Sequence, residues 1–153
     1  MMDEALGNGV SRVSLRSVTP EDSERLFKWR SDPRVFKFMK TARAPIPEEH
    51  TIWMLNIVRD EQRYIVEALS IGPVGFVSWK KEGSRARLGI YIDPERWGVG
   101  FGRAAIRLAK KAARQGGCLE MIAEVNTDNY RALAMYKRCR FREKWIEMKA
   151  DLL

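Results

Sequence analysis

Three glycines in five residues, Gly98-Val99-Gly100-Phe101-Gly102, separate a run of strand character from a run of helical character. No other feature constrains this chain as much. Upstream, Arg85 to Ile92 reads as a strand, and downstream Arg103 to Arg114 carries Ala104, Ala105, Ile106, Leu108, Ala109 and Ala112 at helical spacing until Gly116-Gly117 ends it. A glycine-rich turn that opens a helix leaves the first-turn N–H groups pointing forward. A diphosphate is the natural occupant of such a turn. Three glycines are more than a plain structural turn needs.

The rest of the chain supplies a sheet and further helices around this junction. Val13 to Val18 predicts a strand, and Thr19-Pro20-Glu21-Asp22 predicts the start of a helix carrying Leu26, Phe27 and Trp29 and stopping near Ser31-Asp32-Pro33. A second helix is expected after Pro47, with Ile52, Trp53, Leu55 and Ile57 toward the core; Arg34 to Ile46 between them has no clear period. Arg63 to Leu69 and Val74 to Trp79 read as strands joined at Ile71-Gly72-Pro73, with a second turn at Lys81 to Ser84. Leu119 to Val125 reads as a buried strand, Asn129 to Arg138 as a last helix, and Phe141 to Lys149 as a final strand. The order β-α-α-β-β-β-α-β-α-β describes one mixed α/β domain over residues 1–153.

Composition excludes several classes. With 45% hydrophobic and 31% charged residues the chain folds rather than staying disordered, and no apolar run approaches the ~20 residues of a membrane span. Met1 to Ser11 has neither the basic start nor the apolar stretch of a signal peptide. Cys118 and Cys139 form no disulfide framework, which points to a reducing cytoplasm, and His50 as the single histidine leaves no zinc site. The net charge of +8 favours anionic partners, and six basic residues fall between Arg96 and Gly117 with no acid among them. Arg103 stands where a helix N-terminus disfavours a cation unless an anion is bound.

Two nucleotide motifs fail on context. Gly100 to Ala105 fits GxGxx(G/A), with Glu124 downstream, but Asp93 to Trp97 intervenes after the strand. Only 51 residues follow Gly102, too few to complete a doubly wound sheet. A GK[ST] triplet is absent.

The segment Leu88 to Phe141 resembles the GNAT family of acetyl-CoA-dependent N-acetyltransferases. Trp97-Gly98-Val99-Gly100-Phe101-Gly102 occupies the family loop (Q/R)xxGx(G/A), with Trp97 in place of the first residue, as in the branch that includes ribosomal-protein alanine acetyltransferases. Asn129, Ala132, Tyr136 and Phe141 follow the family's NxxAxxxYxKxGF; lysine stands at Lys137 with Arg138 next, and Arg140 replaces the glycine. The resemblance implies a mostly antiparallel twisted sheet, splayed at the acetyl-CoA site and flanked by about four helices. It also implies acetyl-CoA as donor, no metal, and direct transfer to a primary amine.

By the same resemblance, Leu88 to Ile92 is the pantetheine strand, with Ile90 and Ile92 as main-chain contacts, and Trp97, Gly98, Val99, Gly100, Gly102 and Arg103 hold the diphosphate. Asn129 contacts pantetheine or caps its helix, and Tyr136 protonates the departing sulfur or packs on the sheet. No carboxylate lies in Arg85 to Gly89, so Glu124, His50 or a water chain is left as general base; Cys118 and Cys139 are nucleophiles only in principle.

The N-terminal half looks like the subgroup acetylating nucleotide-linked aminodeoxy sugars in pseudaminic acid biosynthesis, on the 4-amino group of a UDP-linked 4-amino-4,6-dideoxy sugar. Arg30, Arg34, Lys37 and Lys40 supply cations, Phe38 and Trp53 offer ring faces, and His50 touches the sugar; alternatively Trp29 and Phe38 are core and the cations a solvated surface. The second enzyme reading is acetylation of a protein N-terminus such as a ribosomal-protein alanine. The reading of another class is a basic RNA-binding module, which leaves the glycine loop unexplained. Neither nucleic acid nor membrane is expected as a partner of the enzyme. A homodimer through the C-terminal strand is expected, because an open sheet edge recruits a partner.

Overall fold

Strand pairing follows chain order from one edge of the sheet to the other. The computed structural model describes residues 2–4 and 12–152. Its six strands are β1 (Met2–Glu4), β2 (Val13–Ser17), β3 (Glu61–Ala68), β4 (Gly72–Glu82), β5 (Arg85–Ile92) and β6 (Glu120–Ala123), adjacent in that order. Neighbours are antiparallel except β5 and β6, which are parallel. A parallel pair needs a crossover, and α4 (Phe101–Gln115) supplies it. The other helices are α1 (Ser23–Arg30), the single turn α2 (Pro33–Phe36), α3 (Pro47–Leu55) and α5 (Tyr130–Arg138).

Alternation along the central strands divides the core between the two faces of the sheet. Val66 and Val77 pack with Phe101, Ala105, Ile106 and Ala109 of α4 and with Tyr136 of α5. Ile65 and Phe76 face the other way, toward Leu26 and Trp29 of α1 and toward Trp53 and Met54 of α3. Alanines at 104, 105, 109 and 113, all buried, let α4 lie close on the strands.

The splay expected for this sheet has a definite place. Pairing between β5 and β6 runs from Arg85↔Glu120 to Leu88↔Ala123 and stops, while β5 continues to Ile92. Gly89 to Ile92 therefore keep β4 on one side and, among the described residues, have no strand on the other.

At the start of α1, Asp22 is fully buried and bound on several sides. Its carboxylate accepts from Arg16 at 2.8 Å through both oxygens, from Thr19 N–H at 2.8 Å and from Arg25. Burial pushes this carboxyl up; Arg16, the Thr19 N–H and Arg25 together push it further down, well below the usual carboxylate range. A depressed folded-state pKa contributes stability that is present above the unfolded value of about 4 and is lost as pH falls below it. Asp22→Ala is expected to cost about 3 kcal/mol at neutral pH, since it strips the partner from two guanidinium groups. It should also flatten the fall in stability between roughly pH 4 and pH 2. Urea titrations across that range check both effects; an unchanged midpoint at neutral pH would contradict this account.

Four expectations require correction. The strand expected to be buried over Leu119 to Val125 is only Glu120–Ala123, at the edge of the sheet with no residue fully buried, and Leu119 is exposed. Second, Ile52, Leu55 and Ile57 do not enter the core: they are 66%, 77% and 94% exposed. The inner stripe of α3 is instead His50, Trp53 and Met54, at i, i+3 and i+4, so Ile52 and Leu55 fall on the outer face and Ile57 lies past the helix end. Third, the stretch from Arg34 begins inside a helical turn, α2, capped by the Asp32 carboxylate on Arg34 N–H at 2.9 Å. Fourth, Phe141 to Lys149 forms no strand. Trp145 and Ile146 are adjacent and Met148 follows, which gives no single apolar face, and they are 85%, 75% and 89% exposed. Phe141 is anchored against the Tyr136 ring and beneath Lys110, and Glu143 pairs with Lys137 at 3.2 Å.

Candidate active site

The glycine loop, the splayed end of β5 and the first turns of α4 and α5 meet at one place. Gly98 and Gly100 have φ of +87° and +99°, in the region that side chains avoid, and a Cβ at either would meet nothing within 4 Å. Gly102 is required for another reason. A Cβ there would stand 2.6 Å from Met135 Sδ, so the glycine lets α5 rest against the first turn of α4. The first helical bond of α4 runs from Ala104 N–H to Gly100 C=O at 3.1 Å, leaving the N–H groups of Phe101, Gly102 and Arg103 ahead of it. Arg103 Nε is buried in this turn without a hydrogen-bond partner.

The end of β5 presents backbone toward the same space. Asp93 N–H donates to Val74 C=O at 2.8 Å, on the β4 side. By the alternation of an antiparallel ladder, Tyr91 and Gly89 also face β4, while Ile90 and Ile92 point to the side that β6 has left. Trp97 closes this end of the strand by donating its indole N–H to Ile92 C=O at 2.9 Å. The Arg131 guanidinium lies over the Trp97 ring, 3.6 Å from its centroid. Val99 is half exposed at the loop tip.

Tyr136 is buried in α5 with its ring against Phe141, 5.2 Å between centroids. Burial pushes its phenol up to about 12. Asn129 is the cap of α5, its Oδ1 accepting from Ala132 N–H at 3.3 Å. The helix ends at Arg140 with φ +67°, where Arg140 N–H donates to Lys137 C=O and Phe141 N–H to Tyr136 C=O. The chain thus keeps the left-handed turn at the position where the motif has glycine, and carries it on an arginine.

Neither side chain considered for the base is free. Glu124 is half exposed between Lys40 at 2.6 Å and Arg87 at 2.7 Å. The Lys40 ammonium first, with Arg87 beside it, holds the Glu124 carboxyl below the usual range. His50 is buried between the rings of Phe27 and Trp53, and its Nε2 lies 2.8 Å from Ser23 C=O. A carbonyl only accepts, so that nitrogen carries the proton, and the ring ties α3 to α1.

Of the acceptor residues, His50 and Trp53 come together, but Trp53 is taken up by Phe76 at its edge and Arg63 over its face. Phe38 is half-buried beneath Lys37, and Arg30 lies against Met39 Sδ. Trp29 is core. Arg34 is paired with Asp32 and Glu95, and Lys40 with Glu124. The latter pairs tie the segment 33–46 to the turn before the loop at one end and to the exit of β6 at the other, across the gap beside β5. Sequence reasoning missed these bridges and Arg131. The signal for Arg131 was a cation in the first turn of a helix with no acid beside it.

A family model, the acetyltransferase (GNAT) domain, matches residues 12–142. The chain belongs to this family. GNAT membership makes it an acetyltransferase, with acetyl-CoA as the family's donor. Acetyltransferase PseH of Campylobacter jejuni is 29% identical over 126 residues, covering 79% of this chain and 77% of PseH. An uncharacterised protein of Methanocaldococcus jannaschii is 27% identical over 138 residues, covering 87% of this chain; the chain spans only 28% of that relative's length. Spermidine N-acetyltransferase from Vibrio cholerae, solved with CoA and spermine, superposes with a TM-score of 0.76 at 21% identity, over 87% of this chain and 82% of that one. The fold is therefore shared with a solved acetyltransferase.

The cleft fits CoA on this chain's own features. It has open space before Gly98 and Gly100, a partnerless Arg103 Nε, and Ile90 and Ile92 facing an unpaired edge. Among the described residues no group of three or more His, Cys, Asp or Glu is placed to hold a metal, and no helix is long and apolar enough to cross a membrane.

Proposed function

We propose that the chain transfers acetyl from acetyl-CoA directly to the primary amine of a nucleotide-linked 4-amino-4,6-dideoxy sugar. The observation that carries the donor half is the run of β5 beyond its last β6 pair, which ends at the glycine loop. Pantetheine lies along that edge on the Ile90 and Ile92 backbone, and the diphosphate sits before Trp97, Gly98, Val99, Gly100, Gly102 and Arg103. Asn129 fixes the start of α5, and with it Tyr136. Donors fixed in place before the reaction stabilise the oxyanion without reorganising. Tyr136, still protonated at neutral pH, gives its proton to the departing thiolate.

The acceptor half rests on the likeness to PseH and on two cations, Arg30 and Lys37, that have no carboxylate partner among the described residues. They suit the acceptor's phosphates, with Phe38 and Trp53 as the apolar wall and His50 holding that wall in place. The amine proton leaves to water, because Glu124 serves the bridge to Lys40 and Arg87. Cys118 and Cys139, both buried and neither in a disulfide, are in keeping with a reducing cytoplasm. The open outer edge of β6 and the exposed Trp145, Ile146 and Met148 support a homodimer in which one copy's tail covers the other's sheet. Light scattering that reports only monomer would remove the dimer.

A panel of amines assayed for CoA release tests the reaction: the UDP-linked amino sugar, a peptide with N-terminal alanine, spermidine and an aminoglycoside. The amino sugar should react with the highest kcat/KM, and Glu124→Gln should keep kcat within about threefold of the native value, against the 10²–10⁴-fold of a true general base. Preference for the peptide would transfer the assignment to protein N-termini.

A further inference from the structure

We infer that Arg131 is a donor-binding residue, held on the face of Trp97 to grip the diphosphate of acetyl-CoA. The inference rests on the donor site proposed above and adds a residue to it from a different helix. Arg131 is in the first turn of α5, four residues before Met135, so both lie on the face that meets the start of α4. Met135 touches that start, since its Sδ stands 2.6 Å from where a Cβ of Gly102 would be.

The guanidinium is fixed in position. Its central carbon lies over the Trp97 indole, 3.6 Å from the ring centroid, and the indole is itself held by its hydrogen bond to Ile92 C=O. A stacked guanidinium keeps its N–H fork free at the edge, and that fork matches two phosphate oxygens. Arg131 has no carboxylate partner among the described residues, whereas Arg34, Arg85 and Arg87 are all paired. It also sits at the positive end of a helix, where a cation is unfavourable until an anion arrives. Trp97 occupies the loop position where the motif carries Gln or Arg, so α5 returns a guanidinium to the place where the loop lost one.

Titration calorimetry of the full chain with acetyl-CoA and with its 3′-dephospho form tests this. Arg131→Met, which keeps an apolar contact with the indole, should weaken both donors equally, by roughly tenfold or more, and make binding less sensitive to salt. The apo melting temperature should not move. Arg131→Lys keeps the charge without the fork and should fall between the native chain and Arg131→Met; it also stands in if the methionine variant does not fold. Unchanged affinity in both variants would leave Arg131 as packing for Trp97 and overturn the inference. A loss confined to acetyl-CoA and absent with the dephospho form would place Arg131 on the 3′-phosphate and overturn the diphosphate assignment. Failure of the native chain to bind either donor would bring down the donor site, and the role of Arg131 with it.

Discussion

Gly100→Asp is expected to abolish the thermal stabilisation that acetyl-CoA gives the native chain. At a donor concentration of about a hundred times Kd, binding to the folded state alone adds about 2.7 kcal/mol, or a rise of roughly 5–10 °C in Tm for a domain of this size. The substitution acts in two ways. It places a carboxylate beside the diphosphate, and it puts a side chain at φ +99°, where the open space in front of the loop is the ligand's. Gly100→Ala separates them, since it carries the same backbone strain of about 1–2 kcal/mol without the charge. The alanine variant should melt lower yet still respond to donor, and the aspartate variant should not respond. An undiminished shift in Gly100→Asp would mean that the diphosphate lies elsewhere.

Tyr136→Phe is expected to lower kcat by roughly 10²–10⁴ while the fold is retained. Phenylalanine keeps the ring contact with Phe141 and removes only the hydroxyl. Burial that pushes the phenol up to about 12 also fixes the sign of the pH effect. The acid form persists across the neutral range, so no loss of rate from Tyr136 ionisation should appear below about pH 11. A near-native kcat in the variant would reduce Tyr136 to packing.

Local signals marked the elements on either side of the glycine loop. The strand over Arg85 to Ile92, the turn before Phe101 and the capped start at Asn129 each announce themselves through a few neighbouring residues, and the structure has all three in place. Where two apolar stripes compete, the pattern misled. α3 turns inward the face that contains His50 because His50 reaches Ser23 and Trp53 reaches Phe76, contacts that helical spacing does not encode. Long-range pairs left no sequence trace either: Lys40 with Glu124, Arg34 with Glu95, and Arg131 on Trp97 join residues far apart in the chain. β1 is three residues long, too short for an alternation to show in the sequence, and it pairs with β2 from Met2↔Leu15 to Glu4↔Val13. The tail after Phe141 carries strand-forming residues, but Trp145, Ile146 and Met148 share no single apolar face, and the segment pairs with no strand among the described residues.

The account stands most directly on where acetyl-CoA lies. Amide chemical shifts of the ¹⁵N-labelled chain, followed while acetyl-CoA is added, read that position residue by residue. The account predicts the largest changes at Ile90, Ile92 and the N–H groups of Gly98 through Arg103, with little at Glu48 to Thr51 on the opposite face of the sheet. Changes centred on α1 and α3, with the loop and the end of β5 unmoved, would contradict it.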